Sequence, residues 1–180
     1  MRAKSTIRQG IQEDFTYGPG NNRSSIMIIF SHTELPITQF QINEIEQIIG
    51  LRLPEEYKKH LLTYNGGRCL PNRFFFDENG KRTSSGIDWF LAIYDGKYDN
   101  LKNYIKIYKK EEKRLPHNIL PIAHDPGGNL VCISCVGEDF GYIYFWDHEK
   151  EVDFQDPDHN EYSNLYLVAK SFQSFLDELQ

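Results

Sequence analysis

The pattern in this chain closest to reactive chemistry is Cys-Ile-Ser-Cys, in which Cys132 and Cys135 have the C-x-x-C spacing of redox and zinc sites. A redox pair needs its first cysteine at a helix N-terminus, where the helix dipole lowers the pKa of the thiol. Here both cysteines fall in an apolar, strand-like run, and a spacing of three on a strand directs their side chains to opposite faces. No second Cys or His pair has zinc-finger spacing. We expect buried, unreactive cysteines.

Two glycine pairs have the composition of a phosphate-binding loop, namely residues 125–129 (Asp-Pro-Gly-Gly-Asn) and residues 64–67 (Tyr-Asn-Gly-Gly). The first lacks the Lys and Ser/Thr of a P-loop and the spacing of a dinucleotide fingerprint. A β-turn that needs positive φ explains it. The second follows a predicted helix, whereas anions bind at helix N-termini. Both are therefore predicted to be turns.

None of the six histidines forms an H-E-x-x-H motif, and no serine lies in a G-x-S-x-G turn. Cys69 and His60 could form a nucleophile pair, but nothing in the sequence orients the base. An enzyme that uses His124 and Asp125 together with the acidic segment described next is an open alternative. We expect no catalytic residues, no metal and no cofactor.

Residues 147–164, called the acidic loop below, carry seven carboxylates against one lysine. They lack a regular ligand spacing and are not an EF-hand loop. The alternatives are a solvated loop, an acidic surface for a basic partner, or a metal site. For a protein-binding surface, the candidate contacts comprise two aromatic anchors and six acids: Tyr144, Trp146, Asp147, Glu149, Glu151, Asp153, Asp156 and Asp158.

The bulk composition excludes several classes of function. With 20 basic and 26 acidic residues the net charge is −6, so we expect neither nucleic-acid nor membrane binding, and a basic protein partner suits the chain better. Three cysteines are not a secreted disulfide framework and predict a reducing cytoplasm. There is neither an apolar run long enough to span a membrane nor the apolar region of a signal peptide.

The chain is long enough for one domain with a real core. Residues 1–30 are predicted to be a polar extension, mobile or non-native, and residues 31–180 a single domain. A further hypothesis is that Met27 is the natural start. It would be supported if Arg23 and Ser24 were encoded by AGG-AGT, which spells a bacterial ribosome-binding site.

Two short helices are predicted to follow. In the first, Thr38 is the N-cap and Gln41 completes a capping box, Ile42 and Ile45 begin an apolar stripe, and Gly50 ends the helix.

In the second helix, Pro54 is expected at the first helical position, N1. Tyr57, Leu61 and Tyr64 are predicted to share the buried face, which Leu62 widens.

Aromatic and β-branched runs separated by turn signals predict strands in the rest of the chain. The expected fold class is α+β, with an N-terminal helical hairpin, a central antiparallel twisted β-sheet and a C-terminal helix capped by Ser171. The predicted strands are residues 72–82 (a hairpin with an Asn-Gly turn), 86–95, 119–125, 129–136, 141–148 and 165–169, with a helix within residues 98–116.

Residues 41–67 resemble the first signature of the Smi/Knr family of the SUKH superfamily, an acidic amphipathic helix, a glycine, Leu-Pro-x-x-Tyr, and a helix ending in Asn-Gly-Gly. Residues 120–149 resemble its second signature, and residues 169–179 are similar to its closing helix. The resemblance covers residues 38–179. The matching positions are expected to specify the fold first: Leu53, Pro54, Tyr57, Asn65, Gly66, Gly67, Gly127, Gly128, Asn129, Trp146 and Asp147.

The resemblance implies an α+β fold without catalytic activity. Bacterial members resemble immunity proteins that bind and neutralise toxins, often nucleases, while fungal members are associated with cell-wall synthesis and signalling as adaptors. We therefore expect a cytoplasmic immunity protein that neutralises a cognate protein toxin, with a basic nuclease domain as one class of partner. The alternative is a regulatory scaffold in cell-wall or envelope synthesis or signalling. We expect a monomer or a weak homodimer.

Overall fold

The computed structural model describes residues 27–180. The predicted polar extension falls mainly on residues 1–26, so that prediction lies outside the described residues, as do the codons on which the Met27 hypothesis depends. Strand β1 (Ile29–Ser31) begins before residue 31, and Ile28 and Phe30 pack against the core. The folded part thus includes residues that the sequence assigned to the extension.

The described chain combines helices with antiparallel sheets, which confirms the predicted α+β class. The helices are α1 (Gln39–Ile49), α2 (Glu55–Thr63), α3 (Leu101–Tyr104), which continues as a π-helix (Ile105–Glu111), a 3-10 turn (His148–Lys150) and α4 (Phe172–Asp177). The strands after β1 are β2 (Arg68–Leu70), β3 (Arg73–Glu78), β4 (Lys81–Gly86), β5 (Trp89–Phe90), β6 (Ile119–His124), β7 (Leu130–Ser134), β8 (Ile143–Trp146) and β9 (Leu165–Ala169).

A five-stranded antiparallel sheet in the order β5-β6-β7-β8-β9 forms the centre of the fold. Strands β3 and β4 form a hairpin, and Asn79 and Gly80 join them with φ values of 55° and 85°, as the Asn-Gly signal predicts. The pair β1-β2 was not predicted from the sequence, because three residues are too few to show a period.

Both faces of the central sheet are covered, so every residue of β7 is buried. Val131 and Ile133 belong to the cluster that packs under α1, α2 and α4. Leu130 and Cys132 belong to a second cluster on the other face, against which Tyr108 packs. Burial on two faces explains why this strand is a continuous apolar run in the sequence.

Helices α1 and α2 follow each other through a short link, and the ends of α1 have the predicted local signals. Gln41 Oε1 accepts a hydrogen bond of 2.8 Å from the Thr38 N–H, and Gly50 ends α1 with φ 69°. A partly buried ion pair of 3.1 Å joins Lys58 on α2 to Glu46 on α1. Hydrogen bonds to Glu55 and Glu46 raise the pKa of Lys58. The ion pair therefore ties the two helices together.

The buried face of α2 differs in part from the predicted one. Tyr57 and Leu61 are buried as expected, but Tyr64 and Leu62 are each 37% exposed and His60 is buried in their place. The backbone of Tyr64 is extended, with φ −132° and ψ 97°. The helix therefore ends before Tyr64, whose side chain does not continue the buried face. Pro54 stands at the N-cap, one residue before the predicted N1 position.

Residues 65–67, called the NGG junction, connect α2 to β2 and hold several distant segments together. The Asn65 side-chain nitrogen donates to the carbonyl oxygens of Leu35 and Ile93, at 2.9 and 2.7 Å, and its oxygen accepts from the Ile93 N–H at 2.8 Å. Gly66 and Gly67 have φ values of 72° and 93°. The junction is therefore a packing element of the fold.

Candidate functional site

The turn at residues 125–129 wraps around the carboxylate of Asp125, which is buried. Asp125 Oδ1 accepts from the N–H groups of Gly127 and Asn129, both at 2.8 Å. Its Oδ2 accepts from the Asn129 side chain and from the Ser85 hydroxyl, both at 2.9 Å. Because a carboxylate already occupies these N–H groups, the turn presents negative charge and does not form a phosphate cradle.

Asn129 links this turn to the start of the acidic loop. Its Oδ1 accepts from the His148 N–H at 3.1 Å and lies 2.7 Å from His148 Nδ1. Asp147 caps the following 3-10 turn, because its Oδ1 accepts from the Glu149 N–H at 3.0 Å. The Gly-Gly-Asn turn thus positions the first carboxylates of the acidic loop.

A groove of about 290 Å³ lies between the β3–β4 hairpin, this turn and the start of the acidic loop. We call it the acidic groove. The rings of Phe76 and Phe145 contribute to its lining and stack on each other with centroids 4.5 Å apart. Its polar lining comprises four carboxylates, three hydroxyls, an amide and an imidazole: Glu78, Asp125, Asp147, Glu149, Thr83, Ser84, Ser85, Asn129 and His148.

Lys150 supplies an ammonium group beside these carboxylates. Its Nζ is hydrogen-bonded to Glu78 and lies 3.4 Å from Asp147 Oδ2. The hydrogen bond to Glu78 raises the pKa of Lys150 and lowers the pKa of the Glu78 carboxyl. The other two groove carboxylates, Asp125 and Glu149, form no direct ion pair among the described residues, so the groove keeps a negative excess.

The acidic loop continues in ordered turns. Asp153 Oδ1 accepts from the Gln155 N–H and Asp156 Oδ1 from the Asp158 N–H, both at 2.9 Å. Glu151 is bonded to Arg114. Within the described residues, four exposed carboxylates of the loop have no direct ion pair, namely Glu149, Asp153, Asp156 and Asp158. These four are among the six acidic residues that were predicted from the sequence to contact a partner.

The two predicted aromatic anchors lie inside the protein. Trp146 is 1% exposed and packs under Tyr108 and Arg114, whose guanidinium carbon lies 5.0 Å from the indole centroid. Tyr144 is 8% exposed, and its hydroxyl donates to Asp139 Oδ2 at 2.9 Å. Strand β8 is covered on both faces, so these rings stabilise the base of the acidic loop and are not surface anchors.

The Tyr144 contact is part of a polar network that holds the far end of the acidic loop. Tyr162 also donates to Asp139 Oδ2 at 2.9 Å, and Ser134 donates to Asp139 Oδ1 at 2.8 Å. The loop is therefore attached to the sheet at both ends, at Asp147 and at Tyr162.

The residues that the Sequence analysis weighed as redox, zinc or catalytic candidates are buried or held by other partners. Cys132 and Cys135 lie in different core clusters, on opposite faces of the sheet as predicted. Burial raises the pKa of the Cys132 thiol and raises that of Cys135 to about 12, so both are protonated at neutral pH. His124 Nε2 lies 2.8 Å from Asp99 Oδ1 and its Nδ1 lies 3.1 Å from the Asp125 carbonyl oxygen, while the Asp125 carboxylate bonds to Gly127, Asn129 and Ser85.

Residues 27–180 contain no group of three or more His, Cys, Asp or Glu side chains arranged to hold a metal ion. No helix among them is long and apolar enough to cross a lipid bilayer.

Sequence reasoning missed much of the acidic groove, because Glu78, Ser84 and Ser85 reach it from a hairpin that is distant in sequence. A usable signal was Asp125, two positions before the Gly-Gly pair, since Asp side chains bind the N–H groups of their own turns.

Comparison with known proteins supports the resemblance that the two signatures indicated. The model of the SMI1 / KNR4 family (SUKH-1) matches residues 36–178. The SPbeta prophage-derived uncharacterized protein YokK of Bacillus subtilis (strain 168) is similar to this chain, with 32% identity over 158 residues, covering 79% of this chain and 74% of the relative. The chain therefore belongs to the SMI1/KNR4 family (SUKH-1).

Proposed function

We propose that this protein is a non-catalytic immunity protein, which neutralises a cognate bacterial toxin by stoichiometric binding through its acidic groove and acidic loop. The proposal rests mainly on the ordered acidic surface, in which Glu149, Asp153, Asp156 and Asp158 have no direct ion pair among the described residues. Glu149 lines the acidic groove together with three further carboxylates, and the other three follow it along the acidic loop. Such a surface suits a basic protein, such as a nuclease domain.

The chemistry of the groove suggests how a basic partner is recognised. A guanidinium or ammonium group can bond to carboxylates and hydroxyls at the walls, while its aliphatic stem lies against Phe76 and Phe145. Exposed carboxylates of the acidic loop attract a positively charged partner before contact, which raises the association rate more than the affinity. The acidic loop therefore serves to steer the toxin and the groove to hold it.

Family membership and the prophage origin of the similar Bacillus protein support this role, because a prophage is a mobile element and the resemblance implies toxin neutralisation for bacterial members. The absence of a catalytic role is supported by the Asp125 carboxylate, whose hydrogen bonds go to Ser85, Gly127 and Asn129 and not to the His124 imidazole, and by the protonated, buried cysteines.

The test is co-expression with the toxin domain encoded by the neighbouring gene, followed by growth measurement and purification of the complex. The charge-reversal variant Glu149→Lys/Asp158→Lys changes two exposed side chains that make no hydrogen bond within the described residues. We expect its association rate constant at low salt to fall about tenfold or more, with weaker growth rescue.

The matched control is Asp95→Lys/Glu138→Lys, which makes the same charge change at exposed sites outside the groove and the acidic loop. It is expected to bind the toxin with a much smaller change in rate. Failure of the unmodified protein to rescue growth and to form a complex would contradict the proposal for that pair. An association rate that does not depend on salt would contradict the role of the acidic surface.

A further inference from the structure

A second groove, of opposite charge, lies where the end of α1 meets the π-helix. Its volume is about 390 Å³, and it shares no lining residue with the acidic groove. Its lining is largely apolar, with contributions from Ile48, Ile49, Ile105, Leu115, Pro116 and Phe154. The side chains of Lys110, Lys113 and His117 add basic groups, and Glu161 adds one carboxylate, which lies 3.6 Å from His159 Nε2. We call it the lysine groove.

The lysines of this groove have two different roles. Lys109 Nζ donates to the carbonyl oxygens of Pro116, His117 and Ile119 at 3.0, 2.9 and 2.6 Å, so it holds the chain after the π-helix in place. Lys110 and Lys113 are exposed and form no direct ion pair among the described residues. In a chain of net charge −6, two unpaired ammonium groups beside an apolar lining are available for an external carboxylate.

The backbone beside the groove is a second, independent indication of a binding site. Residues Ile105–Glu111 form a π-helix, whose wide turns are uncommon and occur frequently at functional sites. The Glu112 N–H reaches the Ile107 carbonyl oxygen at 2.9 Å to close it. This geometry places Ile105, Lys109 and Lys110 together along the lining.

We propose that the lysine groove binds an acidic segment of another protein that carries a large apolar side chain. The apolar side chain packs against Ile48 and Phe154, while carboxylates beside it pair with Lys110 and Lys113. An acidic segment complements the charge of Lys110 and Lys113, and its apolar side chain matches the apolar lining. This inference does not rest on toxin neutralisation, because the lysine groove shares no lining residue with the acidic groove and selects a partner of opposite charge; Phe154 and Glu161 of the acidic loop contribute to its lining.

The test uses the full chain as bait for a random peptide library displayed on phage, with affinities of the selected peptides measured by fluorescence anisotropy. Selected peptides are expected to carry Asp or Glu on both sides of an aliphatic or aromatic residue. The variant Lys110→Glu/Lys113→Glu should bind them about tenfold more weakly, since it replaces two attractions by two repulsions.

The control Lys59→Glu/Lys170→Glu makes the same charge change at exposed lysines that do not line the groove, and it should bind the peptides like the unmodified protein. Ile48→Glu, on the apolar lining, should also weaken binding without a change in fold by circular dichroism. The proposal is overturned if the selected peptides are not enriched in acids, or if both double variants bind them equally. It is also overturned if Ile48→Glu abolishes self-association of the protein, because the occupant is then a second copy.

Discussion

Residues 65–67 and residues 125–129 both place an Asn beside a Gly-Gly pair, yet the two motifs have different surroundings. A Cβ atom at Gly66 would lie 2.5 Å from the Ala92 Cβ, so the junction has no room for a side chain. A Cβ atom at Gly128 would have His148 Cε1 as its nearest neighbour outside the adjacent residues, at 3.9 Å. The first glycine is required by a close approach of two segments, and the second by its backbone conformation alone.

The polar side chains of the two motifs differ in the same way. Asn65 bonds to backbone groups about thirty positions away in the chain, in the segments around Leu35 and Ile93. Asp125 bonds mainly within its own turn, to Gly127 and Asn129. The NGG junction therefore joins distant segments of the fold, whereas the turn at residues 125–129 is a local structure that supports a polar surface.

The strongest test of this contrast is the pair Gly66→Ala and Gly128→Ala. We expect Gly66→Ala to lower the free energy of unfolding by about 3 kcal/mol, because it combines a positive φ with a steric clash. Gly128→Ala introduces only backbone strain and should lower the free energy of unfolding by about 1 kcal/mol. Urea denaturation followed by tryptophan fluorescence measures both, and equal losses would contradict the assigned difference in packing.

A second test removes the charge at the centre of the turn. Asp125→Asn puts an amide nitrogen where two donors now point, so we expect a loss of about 2 kcal/mol in the free energy of unfolding. Ser85→Ala removes only one of the four hydrogen bonds and should cost about 1 kcal/mol or less. If Asp125→Asn is as stable as the unmodified protein, the carboxylate does not organise the turn.

A third test concerns His60, which packs against Phe90 beside the NGG junction, with ring centroids 5.2 Å apart. Burial lowers its pKa to about 3, and its Nε2 has no hydrogen-bond partner among the described residues. The unfolded chain therefore binds a proton below about pH 6.5 that the folded protein does not. Stability should fall by about 1.4 kcal/mol per pH unit as the pH decreases from 6.5 towards 3.

The control for this effect is His60→Leu, an apolar side chain of similar size. Carboxylates titrate equally in both proteins, so the difference between their urea-unfolding curves at pH 6.5 and pH 4.5 isolates the histidine. Parallel pH profiles would show that His60 is not buried in its neutral form.

The smallest expected effect is that of the acidic loop on stability. Glu149→Lys/Asp158→Lys changes exposed charges without a direct ion pair among the described residues, so the free energy of unfolding should stay within about 0.5 kcal/mol of the unmodified value. A large loss would mean that these carboxylates belong to the fold, as the residues of the NGG junction do.

The sequence by itself determined the features that depend on neighbouring residues. These include the capping box at Thr38, the end of α1 at Gly50, the Asn-Gly turn of the hairpin and the cap of α4 at Ser171, whose hydroxyl accepts from the Ser174 N–H at 3.0 Å. The strand period also placed Cys132 and Cys135 on opposite faces. Such features follow from backbone conformations and hydrogen bonds within a few residues, which the local sequence contains.

The tertiary structure alone decided which side chains are buried and which surfaces meet. It placed Tyr144 and Trp146 inside, His60 in the core and Tyr64 at the surface, and it brought the β3–β4 hairpin to the acidic groove. The reason is that burial depends on elements that pack from distant parts of the chain, and no local period encodes their position. The acidic residues were evident from the sequence, but the groove beside them exists only because the hairpin folds against the turn at residues 125–129.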